Sequence, residues 1–211
     1  MEDFSLGVPE LVCRWRLSNR TLPLGNRHLR ALGYRRVGGK PLDRRLVAWA
    51  KQHVEWTLAD GSAAYPDGVL MLVVDEEGRA AMTVGPYEGL AKSRLSSLLG
   101  RVDLAAKEAA RTCVAPESLW LVRSGTLLWG IDQDLFPSGA ATLVEDLALT
   151  LGCRVERASG LLDDVRSRRI TFDEAFLVSD ELGVVLASDA EGPEGRRFRA
   201  SYQKLLERAG R

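Results

Sequence analysis

The sequence predicts a mixed α+β protein whose sheets are mainly antiparallel. Pairs of apolar strands flank short turns, and apolar stripes with helical periodicity lie between those pairs. The chain has 211 residues, 45% of them apolar, which is enough to bury a sizeable core. Strands and helices that alternate without an internal repeat are typical of an α+β fold rather than of a helical bundle or a solenoid.

Alternation of apolar and polar residues predicts three β-hairpins, over residues 12–24, 69–84 and 118–129. The second hairpin turns at Gly78, which can adopt the positive φ that a tight turn requires. The third turns at Ser124-Gly125. Further strands are predicted over 153–158, 174–179 and 183–187.

Apolar residues at spacings of three and four predict the helices. They cover residues 26–32, a helix opened by Pro41 that carries Leu42 to Trp56, residues 98–111, a helix capped by Ser138 that ends at Gly152, residues 161–168, and a last helix around 198–206. Gly85-Pro86 interrupts the pattern, so we expect a smaller N-terminal α/β lobe over 1–86 and a C-terminal α/β lobe over 87–211.

Composition excludes several classes of function. Lys and Arg number 29, as do Asp and Glu, and this zero net charge argues against a general nucleic-acid binder. No apolar run approaches the roughly 20 residues that span a bilayer, so no membrane partner is expected. Residues 1–11 lack the apolar stretch of a signal peptide. Three distant cysteines, Cys13, Cys113 and Cys153, suit a reducing compartment, and we expect a cytoplasmic protein.

General catalytic motifs supply no chemistry. The sequence has no P-loop, no Rossmann fingerprint, no Cys-x-x-Cys and no His-Glu-x-x-His. His53 lies on an apolar helix stripe, where a structural role is the favoured interpretation, and His28 follows the first hairpin. Adjacent Asp163 and Asp164 point in different directions on a helix, which favours a solvated face. Arg35-Arg36 is interpreted as a helix-end and surface charge.

One segment has a physical case for binding an anion. Residues 136–140 lead into a helix, whose free backbone N–H groups and positive dipole end would face a bound anion. The alternative is an ordinary helix capped by Ser138, and the sequence favours that interpretation.

Four segments resemble the class IV aminotransferase family, the fold-type IV enzymes that use pyridoxal phosphate and include aminodeoxychorismate lyase. Residues 14–32, with His28-Leu-Arg-Ala-Leu, are similar to the family's first hairpin and its His-Leu-x-Arg-Leu helix. Residues 69–88 are similar to the strand pair that closes the smaller lobe. The strongest likeness runs through 121–156 and continues into Asp173-Glu-Ala-Phe-Leu-Val, which is similar to the family's Asp-Glu-Val-Phe-Leu-Thr strand.

The resemblance implies the two-lobed fold-type IV architecture and an aminotransferase or lyase that acts on a small amino or keto acid. Residues 89–95 are similar to the family's lysine segment, which makes Lys92 the candidate Schiff-base lysine. A second register, set by the helix that follows, puts Leu95 there instead. The family's Glu-Gly pair, whose glutamate contacts the pyridinium nitrogen, is absent, with Trp129-Gly130 or Pro116-Glu117 as poor substitutes.

The resemblance also implies a phosphate-binding set. Arg30 lies one position from the family's helix arginine, which falls on Ala31. The family's Gly-Ile-Thr loop falls on Ser138, Gly139 and Ala140, without the third-position hydroxyl. A further hydroxyl contributor falls near Ser179 and Asp180, where an aspartate would repel a phosphate dianion.

Two functional hypotheses therefore stay open. In the first, the chain is an active pyridoxal-phosphate enzyme in which Lys92 carries the cofactor. In the second, it is a degenerate homologue that has lost the cofactor and serves as a binding or scaffolding subunit. Cofactor-free chemistry in the same cleft is a third possibility without a named reaction. The family likeness also implies a homodimer, to which tryptophans such as Trp49 and Trp56 could contribute, although core packing explains them equally well.

Overall fold

The computed structural model describes residues 5–209. Residues 1–4, part of the segment predicted not to be a signal peptide, lie outside the described residues, as do residues 210 and 211. The strands are β1 (Pro9–Arg16), β2 (Arg36–Val37), β3 (Lys40–Pro41), β4 (Val69–Asp75), β5 (Ala80–Gly85), β6 (Val114–Ala115), β7 (Glu117–Arg123), β8 (Thr126–Gly130), β9 (Phe136–Pro137), β10 (Arg154–Arg157), β11 (Glu174–Ser179) and β12 (Gly183–Leu186). The helices are α1 (Gly25–Leu32), α2 (Arg44–Gly61), α3 (Leu95–Thr112), α4 (Gly139–Thr150), α5 (Leu161–Arg166) and α6 (Pro193–Ala209).

The first half of the chain builds a three-stranded antiparallel sheet in the order β1-β4-β5. Helices α1 and α2 cover it, because the apolar face of each strand needs a partner to exclude water. Alternate residues of β1, Cys13 and Trp15, point into this core, where they meet Leu70 and Leu72 of β4.

The second half builds a five-stranded sheet in the order β10-β8-β7-β11-β12. Helices cover both of its faces, so the central strand β7 is buried at six successive positions. Trp120 and Val122 pack in the core that includes α4 and α6, and Leu119 and Leu121 in the core that includes α3 and α5. A continuous apolar run in place of strict alternation is what a strand buried on two faces requires.

Most predicted elements are confirmed. The β4–β5 and β7–β8 hairpins pair antiparallel, and Gly78 and Gly125 have φ of +81° and +77° at their turns. The sheets are mainly antiparallel as expected, with parallel pairing of β10 with β8 and of β6 with β9.

The first predicted hairpin, over 12–24, is wrong. Its return segment makes only an isolated bridge between Ser18 and Thr21, and β1 pairs with β4 instead. The predicted start of the second helix at Pro41 is also corrected, because Pro41 ends β3 and the helix begins after Asp43, whose carboxylate accepts the N–H of Arg45. The Asp43 side chain provides an acceptor for an N–H that has no partner within the helix, which favours a helix start at this position.

Backbone hydrogen bonds join the two sheets. The N–H of Arg16, at the end of β1, donates to the carbonyl of Asp180 at 3.1 Å, just after β11. Residues 86–94 connect β5 to α3 without a helix or strand. The division of the chain into lobes at residues 86 and 87 stays a prediction. Across residues 5–209, none of the helices is both long enough and apolar enough to cross a bilayer.

Candidate functional site

The N-terminus of α4 is occupied by two groups from the chain itself. Ser138 caps the helix, because its Oγ accepts the N–H of Ala141 at 3.2 Å. The carboxylate of Asp180 accepts the N–H of Ala140 through Oδ1 at 2.7 Å. The N-terminus of α4 therefore has both features considered for residues 136–140, a serine cap and an anion. The anion is a side chain of the same molecule.

Asp180 is buried, with 5% of its surface exposed, and is surrounded by groups that favour its ionised form. Burial by itself would raise the pKa of its carboxyl. The charge of His28, the hydrogen bond from Ala140 and the charge of Arg35 together outweigh burial, and the pKa of Asp180 is lowered. This carboxylate is held as an anion where the helix dipole is positive.

His28 closes the other side of this cluster. Its Nδ1 lies 3.3 Å from Oδ2 of Asp180, at ion-pair distance, although it does not meet hydrogen-bond geometry. The imidazole is buried and stacks on the indole of Trp15, with ring centroids 5.3 Å apart and planes inclined by 12°. A Cβ added to Gly139 would lie 2.6 Å from Nδ1 of His28, so the chain leaves no free space there.

The structure brings together Ser138, Gly139, Ala140 and Asp180 at the N-terminus of α4. Ser179 lies beside them in sequence, but its hydroxyl points away and donates to Oε1 of Glu117 at 2.8 Å. Two further predicted residues lie outside this cluster. Arg30 is exposed on α1, and Lys92 is exposed in the segment before α3.

Two residues of the cluster were missed by the sequence. His28 was noted only as following a hairpin. The interpretation of Arg35 as a surface charge is wrong, because Arg35 is 3% exposed and pairs with Glu108. A buried guanidinium is stabilised by a nearby carboxylate. The carboxylate that pairs with Arg35 belongs to Glu108 on α3, 73 residues further along the chain. Only the His-Leu-Arg-Ala-Leu likeness pointed at His28. His53 has the structural role predicted for it, with Nδ1 lying 3.0 Å from the Trp49 carbonyl.

The two substitutes considered for the family's glutamate are both engaged elsewhere. Trp129 is buried, stacks on Trp120 at 4.8 Å and donates its indole N–H to Ser118 Oγ at 3.1 Å. Glu117 forms a two-bond ion pair with Arg101, at 2.9 and 2.5 Å. The first carries no carboxylate, and the second has its carboxylate neutralised by an arginine.

A cleft of about 300 Å³ lies between β1 and α3, next to Asp180. We call it the ion-paired cleft, because its three arginines each have a carboxylate partner. Those pairs are Arg14–Glu181 at 3.5 Å, Arg35–Glu108 at 2.6 Å and Arg101–Glu117 at 2.5 Å. Its charges are therefore balanced within the protein. No three histidine, cysteine or acidic side chains are grouped to hold a metal ion within the part of the chain that the structure describes.

Known structures share this fold, although sequence comparison finds nothing. No family model matches the chain, and no curated protein matches it. The fold matches that of a candidate 4-amino-4-deoxychorismate lyase from Legionella pneumophila, with a TM-score of 0.65, 11% identity, and coverage of 97% of this chain and 96% of that one.

Two aminotransferase structures match in the same way. A candidate branched-chain amino acid aminotransferase from Thermotoga maritima gives a TM-score of 0.63 at 15% identity over 94% of this chain and 86% of that one. An aminotransferase from Brucella abortus, solved with pyridoxal phosphate, gives 0.55 at 16% identity over 98% and 95%. The chain thus has the fold-type IV architecture of class IV aminotransferases and aminodeoxychorismate lyases, and the resemblance predicted from its segments is confirmed for the fold.

The residues present do not fit the phosphate of pyridoxal phosphate in the place that the resemblance implies. The N–H groups of Ala140 and Ala141 already have acceptors, and the space before Gly139 is filled by His28. The Asp180 carboxylate already provides the negative charge that a bound phosphate would bring to the N-terminus of α4.

Proposed function

We propose that this chain is a cofactor-independent binding protein built on the fold-type IV architecture, which takes a small amino or keto acid as its ligand. The observation that carries the proposal is the Asp180 carboxylate on the N–H of Ala140. The loss of the cofactor is the degenerate-homologue hypothesis, to which we add the ligand class that the resemblance implied for an active enzyme; the confirmed fold supports the common origin that the hypothesis requires.

Electrostatics give the size of the barrier to a bound phosphate. Two like unit charges about 4 Å apart repel by roughly 4 kcal/mol at an effective dielectric constant near 20. A phosphate at the α4 N-terminus would meet that repulsion from Asp180 and would find the Ala140 N–H already engaged. It would also lose charge-assisted hydrogen bonds of about 1.5–3 kcal/mol each.

The competing proposal is a pyridoxal-phosphate aminotransferase or lyase in which Lys92 forms the Schiff base. The Brucella abortus structure, which holds the cofactor on the same fold, supports it. Lys92 is exposed, so a Schiff base there would form in contact with water. The two proposals make opposite predictions for the absorbance of the purified protein.

The test is a titration of the protein with pyridoxal phosphate, followed by borohydride reduction and mapping of any modified lysine. We expect no Schiff-base absorbance beyond that of exposed lysines in an unrelated protein, and no difference between the wild type and Lys92→Ala. A stoichiometric adduct confined to Lys92 would overturn the proposal.

A second experiment tests whether the protein gains phosphate binding when Asp180 is removed. Asp180→Ala removes the internal anion and frees the N–H of Ala140, so we expect this variant to bind inorganic phosphate more tightly than the wild type. Asp60→Ala, at an exposed aspartate on α2, is the matched control. Equal phosphate binding by all three proteins would show that Asp180 does not block this site.

We further propose that the protein is a homodimer. The side chain of Trp56 is 65% exposed and its ring lies 5.0 Å from that of His53, which gives α2 an apolar patch suited to a protein contact. Light scattering over a concentration series is expected to give twice the 23.2 kDa chain mass. A constant monomer mass would contradict this.

A further inference from the structure

A second cavity lies where Arg16, at the end of β1, meets α6. Its volume is about 460 Å³. We call it the Arg16 cavity. Arg16, Tyr87 and Tyr202 contribute to its polar wall, and Leu182, Val184 and Leu206 form its apolar wall. It therefore combines one charged end with an apolar body, the usual composition of a small-molecule site.

Arg16 has no carboxylate partner. Its Nε donates to the carbonyl of Leu17 at 3.2 Å, but its Nη1 is buried without any hydrogen-bond acceptor. Among residues 5–209, no carboxylate oxygen lies within 4.0 Å of its guanidinium, in contrast to the paired Arg14, Arg35 and Arg101 of the ion-paired cleft. A half-buried cation with an unused donor is costly to the folded protein, since it has lost water and gained no counter-ion.

The surroundings of Arg16 compensate this cost only in part. The guanidinium carbon lies 3.2 Å from the centroid of the Tyr87 ring, so a π face covers one side of the cation but supplies no in-plane acceptor for the Nη1 donor. Burial lowers the pKa of Arg16, while Tyr87, Asp67 and Tyr202 act in the opposite direction. Asp67 is already engaged, because its Oδ1 accepts the N–H of Asn19 at 2.9 Å.

Other groups in the cavity are also suited to an anion. Burial raises the pKa of Tyr202 far above the neutral range, so its hydroxyl stays protonated and can donate. Arg199 lines the outer part of the cavity, and no ion pair involves it in the described part of the chain. The one carboxylate that lines the cavity, Glu207, is exposed.

We propose that the Arg16 cavity binds a small organic acid, whose carboxylate pairs with the Arg16 guanidinium in the cavity wall and whose apolar body packs against Leu182, Val184 and Leu206. Because the positive charge is shared among the three guanidinium nitrogens, an oxyanion beside any one of them stabilises the whole group. The Tyr202 hydroxyl and Arg199 contribute further donors. This inference rests on the proposed function and gives its ligand a location.

The ion-paired cleft is less suited to an organic acid than the Arg16 cavity, because each of its arginines already has a carboxylate partner. An acid that entered it would have to displace Glu181, Glu108 or Glu117 from an arginine, whereas an acid in the Arg16 cavity displaces no partner. The two cavities therefore differ in whether their arginines already have carboxylate partners.

The test compares Arg16→Met with Arg14→Met. The two arginines lie on the same strand, but only Arg14 has a carboxylate partner. Calorimetric titrations use 2-oxopentanoate, its primary amide and inorganic phosphate as probes. We expect the wild type to bind 2-oxopentanoate at least tenfold more tightly than the amide, Arg16→Met to lose at least tenfold in affinity for the acid, and Arg14→Met to stay within twofold of the wild type.

Thermal melting without ligand keeps the test valid if a variant is impaired. Because Arg16 is an unpaired cation, we expect apo Arg16→Met to melt no lower than the wild type, so that a loss of binding is not a loss of folding. Equal binding of 2-oxopentanoate by the wild type and Arg16→Met, or no binding of it by the wild type, would overturn this inference. Binding of phosphate in place of the acid would also overturn it.

These outcomes are separate from those that concern the cofactor. A stoichiometric Schiff base on Lys92 would defeat the proposed function whatever the result with 2-oxopentanoate. Binding of 2-oxopentanoate that does not depend on Arg16 would leave the proposed function in place and refute only the location.

Discussion

Asp180 and Ala140 lie forty residues apart in the chain, and a hydrogen bond of 2.7 Å joins the carboxylate of the first to the backbone N–H of the second. It ties the end of β11 to the first turn of α4. Since the backbone carbonyl of Asp180 also accepts the N–H of Arg16, one residue connects both sheets to this helix. We therefore expect Asp180 to stabilise the folded protein as well as to exclude a phosphate from the α4 N-terminus.

Asp180→Asn is expected to lower the free energy of unfolding at pH 7 by about 1.5–3 kcal/mol, the range for hydrogen bonds to charged groups. The pKa of Asp180 is lowered in the folded protein, so its stabilising effect is present above the unfolded pKa, near 4, and is lost as the pH falls through the folded pKa. The difference between wild type and variant should thus shrink in acid. Urea unfolding at pH 7 and at low pH measures it, with Asp134→Asn as the control. A difference that is equal at both pH values would contradict this account.

Gly139→Ala is expected to destabilise the protein by about 1–3 kcal/mol, the usual cost of overpacking. The added Cβ would lie 2.6 Å from Nδ1 of His28 and 3.0 Å from its backbone nitrogen, which cannot move freely. Gly100→Ala is the matched control, because Gly100 lies within α3 with no atom near its would-be Cβ. There the change should stabilise by about 0.5–1 kcal/mol. Denaturant melts of both variants that shift in the same direction would argue against this packing.

Arg101→Ala is expected to cost about 2–3 kcal/mol. Glu117 is 8% exposed, so removal of its partner leaves a buried carboxylate with only the Ser179 hydroxyl. We place the cost below that of a fully buried pair because Arg101 itself is 34% exposed. Arg197 and Glu194 form a comparable arginine–glutamate pair at 3.6 Å on the surface of α6. Arg197→Ala breaks this exposed pair and should cost less than about 0.5 kcal/mol. Similar losses in chemical unfolding for the two variants would show that Glu117 is not sequestered.

The three cysteines should differ in reactivity. Cys13 points into the first core, and burial raises the pKa of its thiol to about 11, so almost no thiolate exists at neutral pH. Cys113 and Cys153 are partly exposed. Alkylation of the native protein with iodoacetamide, followed by peptide mass spectrometry, should modify Cys13 last and only at the rate of unfolding. Early modification of Cys13 would be inconsistent with the position of β1.

Elements whose signals are local were predicted from the sequence. The hairpin at Gly78, the hairpin at Ser124-Gly125 and the cap at Ser138 each depend on residues within a few positions of one another. The strands of the five-stranded sheet were also predicted, over 118–129, 153–158, 174–179 and 183–187, but their order in one sheet was not. The family likeness of those runs predicted the fold even though the chain shares only 11–16% identity with the solved structures compared above.

Only the tertiary structure decided which partners these elements take. It paired β1 with β4 in place of the local return segment, buried Arg35 against Glu108, and set His28 beside Asp180. Among residues 5–209, it also left Arg16 without a carboxylate partner, while each of the three arginines of the ion-paired cleft has one. The reason is physical: a turn or a cap is stabilised by neighbours along the chain, whereas a buried charge is stabilised by whatever the fold brings to it from distant segments.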